Sequence, residues 1–342
     1  MEAIIHSLSS SSALMPIVRQ QEVRTVPVFQ PLLDAPSRRL PFVEANTKEV
    51  RLDHLKEDCI IPVFSKDNEV TISHQSFIDT VLDAAKTTFP SEDITDPVIR
   101  VSHIVKGRIP EALHKPVNQL LDSDKTIYYE RMMFCFEIPS IHQDIDGCRL
   151  NLTIGGVRAY NEQNLYARKS PEKFKIFIGF KNMVCCNLCV STDGYKAAIR
   201  VMDTIALFKA AVELFHCYDM QQHLRLLDAY RECSMTESQF AHFLGKCRMY
   251  QYLPTGTKKN LPEFLMTDTQ AGIIARSYYE DPAFKADTDG DISLWKVFNL
   301  LTGANKSSYI DNFLDRAVNA GQVTSGLCLA LFGDPKYAWF IR

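Results

Sequence analysis

No apolar run in the sequence approaches the 18 or more residues that cross a bilayer as a helix, which excludes a membrane-spanning helix. There is no surplus of either charge. Lys and Arg total 38 against 41 Asp and Glu, and the net charge of -3 with a pI near 6.3 excludes a protein that gathers nucleic acid by its overall field. The motifs G-x-S-x-G, H-E-x-x-H and G-x-G-x-x-G are absent, so hydrolase, zincin and dinucleotide-binding readings have no starting point. No internal repeat or heptad run occurs. The N-terminus carries Glu2 where a secretory signal carries Lys or Arg, and it has no sustained apolar core, so a cytoplasmic location is expected. The ten cysteines sit inside apolar runs such as FCFEI and MVCCNLCV, which fits reduced thiols used as small hydrophobes better than a disulfide framework.

What is present, at 46% hydrophobic residues in a chain of 342, suffices for a full core. Residues 1–45 hold five prolines and the Ser9–Ser12 run with little periodicity, and read as an extended or partly disordered arm in which Val26 to Phe29 could add an edge strand. CIIPVF and EVTI around a Ser65–Asn68 turn read as a hairpin-like pair. Ser73 is a candidate N-cap for a helix carrying Phe77, Ile78, Val81, Leu82 and Ala85, which Pro90 ends. Strands follow from Val98, with Ile99, Val101 and Val105 on one face, and over IYYERMMFCFEI, which is apolar on both faces.

The stretch Cys148–Lys196 is the centre of this pattern. Eight basic residues stand against three acidic ones, so the segment is 8 − 3 = +5 in a chain that is -3 overall. Leu150, Leu152 and Ile154 are apolar at even positions, but Val157 and Ala159 beyond Gly155-Gly156 are odd. A bulge at the glycine pair would restore one apolar face and turn Arg158 and Tyr160 outward. In the next strand Phe174, Ile176, Ile178 and Phe180 point inward while Lys173, Lys175, Phe177 and Lys181 point outward. From Lys196 onward the pattern reads as helices only. The clearest has Ala198, Met202, Ile205, Phe208, Val212 and Phe215 on one stripe, and others are predicted near 220–230, 236–252, 267–280, 293–302, 307–320 and 323–332. The expected fold class is α+β: an N-terminal, mostly antiparallel sheet with one or two helices, then an all-helical C-terminal half. The expected domains are an arm over 1–45, a sheet domain over 46–218 including its last long helix, and a helical domain over 219–342.

Cys185, Cys186 and Cys189 contain one C-x-x-C, but in a strand Cys186 and Cys189 face opposite sides and cannot share an ion, so structural thiols are expected and no metal. Asp287–Asp291 begins like a calcium loop, yet Ile292 and Phe298 stand where that loop needs glycine and glutamate; a turn capping the helix at Leu294-Trp295 is the alternative. GANKSS at Gly303–Ser308 reads as a helix end, a turn and a Ser307 N-cap. Thr236, Phe240, Ala241, Leu244, Gly245 and Arg248 fall where a helix-turn-helix places its first helix and turn; a plain helical hairpin is the alternative. The first-half histidines show no ligand spacing.

The runs PFVEANT, IRVSHIVKGRIPEALHKPV, SDKTIYYERMMFCFEIPS, LNLTIGGVRAYNEQNLYARKS and LWKVFNLLTGANKSSYIDNFLDRAVNA resemble the uncharacterised bacterial family called domain of unknown function 3871, over nearly everything from Pro41 to Arg342. A more distant likeness, through the Val184-Cys185-Cys186-Asn187 pattern, is to the phage and plasmid-like family numbered 932. These resemblances imply a setting in plasmids, prophages or conjugative elements. They imply no activity, catalytic residue or cofactor.

The function expected from the residues is that of a mobile-element accessory protein binding nucleic acid, single-stranded DNA or RNA, through Arg158, Tyr160, Tyr166, Arg168, Lys173, Lys175 and Lys181, because cations serve phosphates and rings serve bases. A protein-interaction module acting on a host or element-encoded complex is the alternative. An enzyme is a third reading, whose mark would be a cleft with Asn187 or His103 beside Cys185. No cofactor and no membrane partner are expected.

Overall fold

The computed structural model describes residues 40–59, 71–112, 114–163 and 171–342. Most of the arm, the 60–70 part of the hairpin-like pair, and Tyr166 and Arg168 lie outside the described residues.

The sheet is built from β1 (Lys48–Val50), β2 (Val98–Arg108), β3 (Lys125–Ile145), β4 (Cys148–Ala159) and β5 (Glu172–Asn182), neighbours in that order and antiparallel throughout. β6 (Leu188–Cys189) and β7 (Tyr195–Val201) share the outer edge of β5, pairing with its Phe180-Lys181 end and its Glu172–Phe177 end respectively. A two-residue turn, Asp146-Gly147 with both φ angles positive, closes the β3–β4 hairpin; aspartate and glycine tolerate that left-handed backbone.

Helices cover both faces. α1 (Leu52–Glu57) is followed by α2 (His74–Thr88), which starts where Ser73 accepts from the Ser76 N–H and buries Phe77, Ile78, Val81 and Ala85. With α3 (Thr204–Cys217) it packs on the even-numbered side chains Ile154, Phe174 and Ile176. On the opposite face Met133, Cys135, Val157 and Phe177 meet Ile310, Phe313, Leu314 and Ala317 of α9 (Ile310–Leu331). Between lie α4 (Met220–Ala229), β8 (Ser234–Met235), α5 (Glu237–Tyr252), α6 (Thr255–Lys258), α7 (Asp268–Glu280), β9 (Ile292–Ser293) and α8 (Leu294–Asn305). An antiparallel sheet region followed by helices is thus what forms, with local departures.

Those departures have physical causes. No bulge forms at the glycine pair: β4 keeps one register against β3 from Leu152 to Ala159 and one against β5 from Leu150 to Val157. The irregularity lies in β3 between Ile138 and His142, where Pro139 has no N–H for the ladder. The glycines answer a steric demand instead. A Cβ at Gly155 would stand 2.7 Å from the Phe177 ring, and one at Gly156 would stand 2.5 Å from the Phe77 ring, so aromatics press on the two faces of β4 in turn. Residues 195–201 form β7, not the start of a helix, because Asp203 caps α3 from Thr204; the helix then buries Leu207, Ala211, Leu214 and Phe215, leaving Met202 and Ile205 exposed. α9 is continuous through Gly321 where two helices were expected, and its N-cap position is Tyr309, not Ser307.

Candidate functional site

Since β4 does not bulge, Arg158 and Tyr160 lie on the α2 side of the sheet, and the lysines of β5 lie on the α9 side. Expected as one outward face, these residues form two interiors.

On the first side Arg158 is fully buried between the rings of Tyr160 and Phe174, each 4.5 Å from the guanidinium carbon. It donates to the Ile72 carbonyl and pairs with Glu172, whose other oxygen accepts the Ile72 N–H at 2.9 Å. The arginine therefore holds the entry into α2. The His74 ring lies tilted against Tyr160, 4.7 Å between centroids, and donates from Nε2 to the Tyr129 carbonyl at 2.8 Å. Burial, then the nearby Arg158 charge, push the His74 pKa down to about 3, and burial pushes the Tyr160 hydroxyl up to about 12.

On the second side Lys175 reaches Asp315 at 3.0 Å and the Asp311 carbonyl, both on α9. Lys181 pairs with Glu137 at 2.7 Å, and Asn151 donates to the same carboxylate at 2.9 Å. Lys173, the most accessible of the three, is bonded to Glu162. Of the described candidate residues, Arg158, Tyr160, Lys175 and Lys181 are buried, so the expected solvent-facing basic surface is not formed; cations cross-link strand to strand and sheet to α9.

The cysteines are packed as well. MVCCNLCV is a turn, not a strand, with Cys186 at φ 60 and only Leu188-Cys189 paired to β5. Asn182 donates to the Asn299 side chain at 3.2 Å and Asn187 to the Asn299 carbonyl at 3.0 Å, while Lys306 donates to the Cys185 carbonyl, so this turn docks on α8. Burial pushes the Cys185 thiol up to about 12, opposite to the direction that makes a nucleophile. His103 lies elsewhere, 6.4 Å from the Tyr309 ring. Among the described residues no group of three or more His, Cys, Asp or Glu is placed to hold a metal, and no helix is long and apolar enough to cross a membrane.

A groove does occur on the helical part. α5 is one unbroken helix through Gly245, where a helix-turn-helix or hairpin would need a turn. Beside it runs α7, and the two enclose a groove of about 330 Å³. Its floor is Phe240 stacked on Tyr278 at 4.5 Å, and its sides are Ala241, Leu244 and Gly245 facing Ala271, Gly272 and Ala275. A Cβ at Gly245 or Gly272 would meet nothing within 4 Å. Glycine inside a helix costs roughly 0.5–1 kcal/mol relative to alanine, and no internal contact here requires it. One turn on from Gly245 and Arg248, Met249 and Tyr252 continue the stripe at 58% and 80% exposure. Arg248 is held by Asp268 at 2.6 Å, and Glu237, at the other end, accepts from Tyr279 at 2.8 Å. Next to Glu237 lie Asp287, Asp289 and Asp291, offset by Lys285 and Lys296, so that end is acidic. The sequence reading missed this groove: Gly245 reads as a turn until Gly272, 27 residues later on α7, is seen to lie across from it.

These elements define an α+β protein whose sheet is sandwiched between helices and whose exposed apolar groove lies on the helical part. The chain belongs to the family described as "Domain of unknown function, B. Theta Gene description (DUF3871)", which matches residues 25–341. No curated protein and no solved structure matches it.

Proposed function

We propose that the protein is a non-catalytic interaction module that takes a basic amphipathic helix of a partner protein into the α5–α7 groove. The observation that carries this reading is the facing pair Gly245 and Gly272, two helix-weakening residues with open space above them. Close backbone approach is what small residues on facing helices permit, and a helix-in-groove mode reads anchors at i, i+3 and i+4. The 12 residues from Glu237 to Arg248 span about 16 Å of helix axis, room for about three turns of a bound helix. The acidic end near Glu237 and Asp289 selects a lysine or arginine on that helix. The sequence resemblance to the family numbered 932 implies a mobile-element setting, in which such a partner would be a host or element-encoded protein.

Photo-crosslinking in the native host tests the reading. A benzophenone amino acid at Ala275 is expected to capture one protein of defined mass through a basic helical segment, while the same probe at exposed Lys209 captures none. Equal capture at both positions, or none at Ala275, overturns it.

A further inference from the structure

A second concavity lies where the sheet, α4, α9 and the C-terminal turn converge, and nothing in the groove reading depends on it. Its volume is about 470 Å³, within the range of about 300–1,000 Å³ typical of small-molecule sites. Rings and aliphatic groups make its walls. Tyr230 and Phe298 lie 5.7 Å apart, and Tyr337 rests on α9 at Gly326, where a Cβ would stand 2.3 Å from the ring.

Polar side chains, among them Ser191, Thr192 and Gln322, share these walls, and two polar groups on the inner side are held in place. The Tyr230 hydroxyl is tied to Ser325 at 2.7 Å and to the Gly321 carbonyl at 3.0 Å. His223 lines the cleft and is buried, with its ring on Phe180 and Nδ1 2.7 Å from the Tyr218 hydroxyl. With the Tyr218 hydroxyl as the donor in this bond, the imidazole proton sits on Nε2. Nε2 has no partner among the described residues, and burial, by lowering the pKa to about 4, keeps the ring neutral at pH 7. A neutral N–H donor in an aromatic wall recognises an acceptor atom on a flat ligand. At the rim Glu263 and Asp334 stand against Lys336, a balance that disfavours anions.

We infer that this cleft binds a neutral heteroaromatic molecule of nucleoside size, with a ring acceptor atom on His223 Nε2 and the ring among Tyr230, Phe298 and Tyr337. Stacking supplies affinity and the histidine supplies orientation.

Saturation-transfer NMR on the full chain, with adenosine, guanosine, cytidine and uridine as separate millimolar probes and adenosine monophosphate as the anionic comparison, tests this. Ring protons of at least one nucleoside are expected to receive saturation, and the monophosphate is expected to bind more weakly than adenosine. Gly321→Leu, whose Cβ has only ordinary contacts at 3.8 and 4.0 Å, fills the cleft and is expected to cut the signal at least fivefold without lowering the melting temperature. His223→Phe keeps a ring but removes the donor, and is expected to weaken binding about tenfold. Absence of saturation for all four nucleosides, or binding that both variants leave intact, overturns the assignment.

Discussion

Lys175 of β5 and Asp315 of α9 form an ion pair of 3.0 Å in which the lysine side chain is only 8% exposed. The same ammonium reaches the Asp311 carbonyl one turn earlier on α9, and Tyr195 of β7 donates to the other oxygen of Asp315 at 2.7 Å. Charges that suggest a ligand surface in the sequence thus join the sheet to the helix that covers it. Removing one partner of a buried pair costs roughly 3–5 kcal/mol, and the partial exposure of Asp315 reduces this. Lys175→Met is therefore expected to lower the unfolding free energy by about 2 kcal/mol in a urea titration. A change under about 0.5 kcal/mol would show that the pair does not fasten α9.

Nucleic-acid affinity provides a separate reading of the same residues. Lys181 is paired with Glu137 inside the sheet packing, so Lys181→Gln is expected to lower stability and leave the anisotropy of a labelled single-stranded oligonucleotide unchanged at two salt concentrations. A salt-sensitive signal that this substitution reduces in the folded protein would return the lysine to a binding role.

The four glycines at the two key places should respond with opposite signs. Gly155→Ala and Gly156→Ala force a Cβ against backbone and ring atoms closer than 3.0 Å, and each is expected to destabilise by about 2 kcal/mol or more. Gly245→Ala and Gly272→Ala meet open space in a helix and are expected to stabilise by about 0.5–1 kcal/mol each. Denaturant titration of the four variants checks both signs at once.

Acid sensitivity follows from two buried histidines. His74, facing Arg158 and Tyr160, and His223, facing Tyr218 with Asp193 nearby, have pKa values pushed down to about 3 and about 4 by burial. The unfolded chain takes up their protons near pH 6.5 and the folded chain does not. Their contribution is complete above that pH and is lost as pH falls toward 4, at about 1.4 kcal/mol per pH unit for each. The melting temperature is expected to fall between pH 6.5 and 4.5, and His223→Phe to flatten the slope. A flat wild-type profile over that interval would contradict the burial of both rings.

Where a signal was local, the sequence displayed it. The cap at Ser73, the apolar spacing Phe77–Val81–Ala85 and the two-sided strand over Tyr128–Ile138 depend on neighbours in the chain. What failed depended on distant contacts. Whether Gly155-Gly156 is a bulge or a close approach is decided by Phe77 and Phe177, neither adjacent in sequence. Whether Lys175 faces water is decided by α9, about 140 residues later. Tyr195–Val201 is too short for its alternation to outweigh the helical pattern that follows. The groove was the least legible feature, because a glycine inside a helix reads as a break until the partner helix is in place.

Recognition through that groove is tested most directly by filling it. With the captured partner in hand, Gly245→Leu and Gly272→Leu are each expected to weaken its binding at least tenfold while the melting temperature stays at or above that of the unaltered protein. Undiminished binding by the folded, filled variants would contradict the account.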